Sequence, residues 1–190
     1  MLFIGKEFHW RGELEHGAIY AMESRDDGMT WSVLSQIPCP KGFAWNKIHE
    51  PHGIQLKDGT IVAALRVEGS TDMERLTTYI SRSTDGGKTF SDPVLVAHGA
   101  PPHLLEHSSG ALILVYSKRR LAPQAQCVRV SYDSGATWSD EFAVAPEAPD
   151  WDHGYPSSVE LSDGSILTVY YQKYPGDSYN SILSTRWELP

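Results

Sequence analysis

Three stretches of this chain read SRDDGMTW (24–31), STDGGKTF (83–90) and SYDSGATW (131–138). All three fit Ser-x-Asp-x-Gly-x-Thr-Trp/Phe at every defined position, at steps of 59 and 48 residues. A recurrence of this kind marks one supersecondary unit repeated along the chain, which restricts the fold to an array. The template also has a physical reading as a tight turn between two strands. Short Asp and Ser side chains accept hydrogen bonds from turn amides that lack a ladder partner. The glycine supplies a positive φ. The Thr and the aromatic residue begin the next strand, with the ring packing into the core.

A second motif interleaves with the first: PHGIQLKDGTIVAALR (51–66), PHLLEHSSGALILVYS (102–117) and PSSVELSDGSILTVYY (156–171). In each copy Pro stands eight places before a glycine, and Gly59, Gly110 and Gly164 follow one another at steps of 51 and 54 residues. Asp-Gly or Ser-Gly between two apolar runs is a β-hairpin signal. Each period therefore reads strand, Gly turn, strand, loop, strand, Asp turn, strand. Four antiparallel strands in about 50 residues make one propeller blade. The expected fold is all-β, a partial six-bladed propeller of about three to three and a half blades. Complete blades are expected at 51–97 and 102–145, with a truncated blade at 156–187. A partial blade is expected at 2–35, built from the last two strands at 18–35 and another at 2–10. A closed propeller needs at least about four blades, and a partial ring leaves strand edges unpaired. The 190 residues are accordingly expected to form the C-terminal half of a longer propeller, or to complete a ring as a homodimer.

The formal charge of −8 argues against nucleic acid or an anionic membrane as partner, although a local basic pocket can still hold a small anion. Six Trp and nine Tyr suit strands. The longest unbroken apolar run, ALILVY (111–116), is too short for a spanning helix. The opening MLFIGKEFHWRGE lacks a basic n-region and an apolar h-region, so no export signal is read there and the compartment stays open. Cys39 and Cys127 form no C-x-x-C motif and are expected as buried free thiols.

Ser-x-Asp-x-Gly-x-Thr-Trp is the Asp-box, or BNR repeat. From about Met22 to Trp187 the chain resembles the sialidase (neuraminidase) superfamily of six-bladed β-propellers. The resemblance implies that the Asp-boxes lie away from the active site, which makes Ser24, Asp26, Ser83, Asp85, Ser131 and Asp133 structural. GYPSSVELSDGSILTVYYQ (154–172) with SILSTRW (181–187) resembles the superfamily's C-terminal blade, where a Tyr before the innermost strand is the nucleophile. That match implies Tyr155. The substrate of such enzymes carries a carboxylate beside its anomeric carbon. A carboxylate nucleophile would be repelled by it, whereas a neutral Tyr activated by a Glu would not. An arginine cluster holds the substrate carboxylate through forked hydrogen bonds, and an Asp is the general acid.

EPHGIQLKDGTIVAALR resembles the Gly-x-Gly-Ile-x-Leu blade of the superfamily through Gly53-Ile54-Gln55-Leu56. Arg66 ends its second strand, Arg119 and Arg120 lie just past the equivalent strand end, and Arg186 lies near the C-terminus. Arg66, Arg119 and Arg186 are thus implied as substrate-binding residues. Only one of Arg119 and Arg120 is expected to face inward. Glu50 precedes Gly59 by nine residues, as Tyr155 precedes Gly164, which makes Glu50 the candidate activating carboxylate; Glu106 is out of register. The superfamily's Arg-Ile-Pro segment and its general-acid segment have no counterpart in these residues.

In a propeller the loops entering the innermost strands share one mouth. Here they contribute His49, Glu50, His52, His103, Asp152, His153 and Tyr155, a set of titratable groups such as a ligand site gathers. His52 and His103 hold equivalent repeat positions and are expected to converge; with Asp152 they are candidate substrate contacts. Two His and Glu50 could ligate a metal, but no spacing such as H-E-x-x-H occurs, and neither metal nor cofactor is assigned. Trp45 and Trp151 could stack on sugars or plug between blades. Plainer roles stand beside these: a core tyrosine for Tyr155, a blade-to-blade ion pair for Arg66, and packing beside Trp187 for Arg186. Two functions follow. The first is an exo-α-sialidase-type glycoside hydrolase acting on a sialoside or other acidic glycan. The second is a non-catalytic carbohydrate-binding or assembly propeller. An activating carboxylate within reach of the Tyr and the arginines separates them.

Overall fold

The computed structural model describes residues 1–7, 15–71 and 73–190. The end of the strand expected at 2–10 lies outside the described residues. Among the described residues, fourteen strands form four antiparallel sheets, accompanied by one 3-10 turn, Trp45–Lys47. The first sheet is β1 (Leu2–Lys6), β2 (Ile19–Glu23) and β3 (Ser32–Gln36). The second is β4 (Ile48–Gln55), β5 (Ile61–Val67), β6 (Thr77–Ser83) and β7 (Val94–Ala97). The third is β8 (Pro102–Glu106), β9 (Leu112–Lys118), β10 (Ala125–Ser131) and β11 (Phe142–Ala143). The fourth is β12 (Gly154–Glu160), β13 (Ile166–Gln172) and β14 (Ser181–Trp187).

Each sheet is a meander, and consecutive sheets pack face to face. The pleat explains how one strand serves two cores. On β5, Ile61, Ala63, Leu65 and Val67 pack with Ile4 and Ile19 of the first sheet and with Ile37 just past β3. The alternate residues Val62 and Ala64 pack with Leu104, Leu112, Leu114 and Tyr116 of the third. On β9, Ile113 and Val115 turn the other way and meet Ile166 of the fourth sheet. Burial on both faces is why IVAALRV and LILVYSK read as nearly unbroken apolar runs. By contrast, β12 and β14 alternate between covered and open positions, because one face of their sheet has nothing over it.

The hairpin turns repeat bond for bond. Leu56 N–H donates to the Thr60 carbonyl and Gly59 N–H to that of Leu56; the same pair recurs at His107/Ala111 and at Leu161/Ser165. Gly59, Gly110 and Gly164 have φ of 89°, 88° and 81°, and a Cβ there would meet nothing within 4 Å. These glycines are thus required for backbone angle and not for space.

The Asp turns are also superimposable in their bonds. In each, the Ser hydroxyl donates to the Asp carboxylate at 2.8–2.9 Å and accepts the Gly amide at 2.8–2.9 Å. The same carboxylate accepts the Thr amide at 2.8–3.0 Å and the Thr hydroxyl at 2.6–2.7 Å. Saturation with donors, led by the Thr hydroxyl, holds Asp26 and Asp133 at a pKa of about 2 and Asp85 lower still. Phe90 and Trp138 pack against the cores as expected. Trp31 differs: it is partly exposed and meets Phe3 edge-on at 5.9 Å, since the outer face of the first sheet is uncovered.

Cys39 and Cys127 are free thiols; Cys127 is buried and Cys39 half-buried. Among the described residues no helix is long and apolar enough to cross a membrane.

Candidate active site

The first strands β4, β8 and β12 lie side by side, and so all start at the same end of the molecule. The second strands return to that end, which delivers Arg66 and Arg119 there. The third strands run away from it, so the Asp turns sit at the opposite end, beside the Gly turns; Ser134 of one donates to Asp58 of another at 2.7 Å.

At the near end, β4 slips register against β5 between His49 and His52, and β12 slips against β13 between Gly154 and Ser157. Each slip is a bulge that re-aims one side chain. The bulged residues are Glu50 and Tyr155, both in left-handed backbone at φ 40° and 52°. They face each other: the Tyr155 hydroxyl donates to Glu50 Oε1 at 2.7 Å. Arg66 Nη1 donates to Glu50 Oε2 at 2.5 Å and lies 3.4 Å from the Tyr155 oxygen. Its Nη2 bonds Glu68, while its Nε is buried without a partner. Burial opposes the Arg66 charge, and the two glutamates more than offset it, raising its pKa. Burial, followed by the bond to Glu50, also raises the Tyr155 phenol, so it stays protonated at neutral pH although the ring is half exposed.

A second arginine closes the other side. Arg119 is buried; its Nε donates to the Trp151 carbonyl at 3.1 Å and its Nη2 to the Tyr171 hydroxyl at 3.3 Å. Asp152 accepts from Tyr171 at 3.0 Å and from Asn180 at 2.9 Å and lies 3.6 Å from Arg119. Those bonds, that of Asn180 first, hold the Asp152 carboxyl below its ordinary pKa. Tyr171 stacks on Tyr155 with ring centroids 6.1 Å apart, which joins the two halves of the site. Arg120 is exposed, with its guanidinium 4.4 Å above the Trp151 ring, so only Arg119 of the pair turns inward.

His52 and His103 do converge, with centroids 4.5 Å apart. His52 Nδ1 accepts the Leu104 amide at 3.2 Å, and His103 Nε2 lies 3.5 Å from Ser157 Oγ. Burial lowers both pKa values, His103 to about 4 with His52 adding to it. The pair is therefore neutral at pH 7, and His103 Nδ1 is buried without a partner. Among the described residues no group of three or more His, Cys, Asp or Glu could hold a metal ion.

Two expectations are corrected. Arg186 is not in this cluster. It is the sixth residue of a third strand, which carries it to the far end, where Nε donates to Ser165 at 2.8 Å and Nη2 pairs with Asp163. His153 is fully enclosed, 2.9 Å from Gln126, and does not reach the open mouth. Of the two roles open to the tryptophans, Trp45 takes the plug between the first two sheets, while Trp151 remains half exposed. Sequence reasoning missed Glu68 and Tyr171. Glu68 stands two places after Arg66, and Tyr171 is paired with Gly154 across the hairpin.

An array of Asp-box sheets with a Tyr–Glu–Arg cluster at the opposite end is the arrangement of a sialidase-superfamily BNR protein. Residues 1–171 match the BNR repeat-like domain, and the chain belongs to that family. An exo-alpha-sialidase of Aspergillus fumigatus is 32% identical over 106 residues, which cover 54% of this chain and 23% of that enzyme. Among solved structures, a protein of unknown function from Dyadobacter fermentans DSM 18053 superimposes with a TM-score of 0.76 at 27% identity, over 91% of this chain and 46% of its own. The GH93 alpha-L-arabinofuranosidase of Fusarium graminearum, in complex with arabinobiose, has the same fold at a TM-score of 0.69 and 20% identity, over 91% and 55%. The chain thus spans between about a quarter and about half the length of these relatives.

Proposed function

We propose that this site is the hydrolytic centre of a sialidase-type enzyme that cleaves a terminal acidic sugar, with Tyr155 as nucleophile and Glu50 as its base. The 2.7 Å bond from the Tyr155 hydroxyl to Glu50 carries the reading. A high-pKa phenol is a poor nucleophile until a base takes its proton. In the first step the Tyr155 oxygen bonds to the anomeric carbon, the phenol proton passes to Glu50, and the glycosidic C–O bond breaks. In the second, water attacks the anomeric carbon and gives a proton to the general acid, which lost its own to the leaving oxygen in the first step, while the phenol leaves with the proton held by Glu50. Arg66 and Arg119 receive the substrate carboxylate from two sides. The His52–His103 pair and Asp152, bonded to Tyr171, are the further candidate substrate contacts.

The leaving oxygen needs a proton from a general acid, and the superfamily's acid segment has no counterpart here. We therefore read the chain as the C-terminal half of a six-bladed propeller, with the acid contributed by the remainder of the ring. The open faces at the two ends support this: Phe3 and Val33 are exposed on the first sheet, and Val159, Val169 and Ile182 on the last.

The test, on the protein with its ring complete, is release of fluorophore from an α-sialoside, with an α-L-arabinofuranoside as comparison because a fold neighbour was solved with arabinobiose. Release from the sialoside alone, lost in Tyr155→Phe, is expected. Sugar binding by calorimetry without release from either compound would assign the site to a carbohydrate-binding propeller.

A further inference from the structure

Beside the Tyr155–Glu50 pair opens a cavity of about 420 Å³, lined by Lys47, Arg66, Arg75, Arg119, Arg120 and Trp151, with Glu68 as the single carboxylate. Its volume falls within the roughly 300–1,000 Å³ of small-molecule sites. The charges separate into two sets. Arg66 is neutralised by Glu50 and Glu68, and Arg119 faces Asp152. Lys47, Arg75 and Arg120 have no carboxylate partner among the described residues, and all three are exposed. Three uncompensated cations meet in one groove of a chain whose net charge is −8. Long-range attraction over the whole surface opposes an anion, so the concentration is local.

Trp151 gives the groove a floor. Its ring is half exposed and lies under the Arg120 guanidinium at 4.4 Å and near that of Arg119 at 5.5 Å. Stacking fixes the plane of a guanidinium and leaves its edge donors free for a forked acceptor. An aromatic face next to such a fork suits a sugar ring that carries an acidic group.

We infer that Lys47, Arg75, Arg120 and Trp151 form a second anion subsite, taking a substrate whose penultimate sugar also carries a carboxylate. This rests on the hydrolase reading for the first subsite: Arg66 and Arg119 line this cavity and also bond Glu50 and Tyr171 of the Tyr155 cluster, so a terminal acidic sugar held by them extends its neighbour into the groove. The specificity is for a diacidic unit over a monoacidic one.

Calorimetry with three probes tests it: an α2,8-linked disialic acid with two carboxylates, sialyllactose with one, and lactose with none. At low ionic strength the disialic acid is expected to bind about tenfold tighter than sialyllactose, with the gap narrowing as salt is added. In the double variant Arg75→Gln/Arg120→Gln the gap closes while sialyllactose binding is unchanged. Equal affinity of the two acids for the unaltered chain, or a preference that survives the double substitution, overturns the subsite even if the sialoside is hydrolysed. If sialyllactose binds no better than lactose while an Arg75/Arg120-dependent affinity for the disialic acid remains, the first-subsite reading fails and the groove stands.

Discussion

The substitution that bears most directly on the chemistry is Glu50→Gln. Gln keeps the shape of Glu50 and can still accept the Tyr155 hydroxyl at the position of Oε1, 2.7 Å away. It cannot take the proton. A positioned general base contributes about 10²–10⁴ in rate, so kcat on a sialoside should fall by that factor, about 2.7–5.4 kcal/mol of barrier. Folding should hardly notice. The Glu50 side chain is 40% exposed, and solvent screening leaves an ion pair of that kind worth about 1 kcal/mol or less. The thermal midpoint therefore stays nearly constant while activity collapses. A second readout is independent of turnover. Burial, then Glu50, raises the Tyr155 pKa, whereas Arg66 lowers it. Without the Glu50 charge the phenol should titrate at lower pH. The signal is the phenolate absorbance of Glu50→Gln minus that of Glu50→Gln/Tyr155→Phe, since nine tyrosines otherwise overlap. Retention of kcat within about threefold, or an unmoved phenol titration, would refute the base assignment.

Arg119→Ala should raise KM for the sialoside about 10–100-fold with a smaller change in kcat, because a buried forked donor is removed from substrate binding. Asp133→Asn should destabilise the chain by about 1 kcal/mol in urea unfolding and leave KM unchanged, since that turn lies at the far end. Gly164→Ala, at φ 81° with no atom within 4 Å of the new Cβ, should cost about 1–2 kcal/mol through backbone angle alone. His153 is enclosed, and burial followed by Arg119 lowers its pKa to about 4. In the unfolded chain it titrates near 6.5, so the unfolded state binds the extra proton between these values. Stability is complete above pH 6.5 and drains as pH falls towards 4, by about 3 kcal/mol from this group. His153→Gln should flatten that limb in denaturant titrations at pH 5 and 7.

The turns were legible because their causes are local. A Ser, an Asp, a Gly and a Thr within eight residues make all their bonds among themselves, so the pattern survives without knowledge of the rest of the fold. Glu50 was legible for a different reason: repeat register maps it onto Tyr155, and equivalent bulges aim equivalent positions. Arg186 was misplaced because proximity to the C-terminal motif stood in for strand direction; β14 leaves the site end at Ser181 and reaches the far end by Trp187. Glu68 and Tyr171 were missed because they join the site through side-chain contacts across strand ends. Which side a residue faces there depends on a register slip that alternation alone does not announce.

The three repeats also differ where it matters. Nine residues before the hairpin glycine stand Glu50, Pro101 and Tyr155. The first and third adopt positive φ inside a bulge, a conformation that costs a non-glycine residue about 1–3 kcal/mol. Proline cannot enter that region, because its ring fixes φ near −65°, and β8 pairs with β9 without any slip. The strain is thus confined to the two copies whose side chains meet, and absent from the copy with no side chain to aim. A purely structural repeat would have no reason to retain it twice. Replacing Glu50 and Tyr155 together by Gly should relieve the backbone at both bulges. The resulting stability should fall by less than the loss of the hydrogen-bonded pair alone would require.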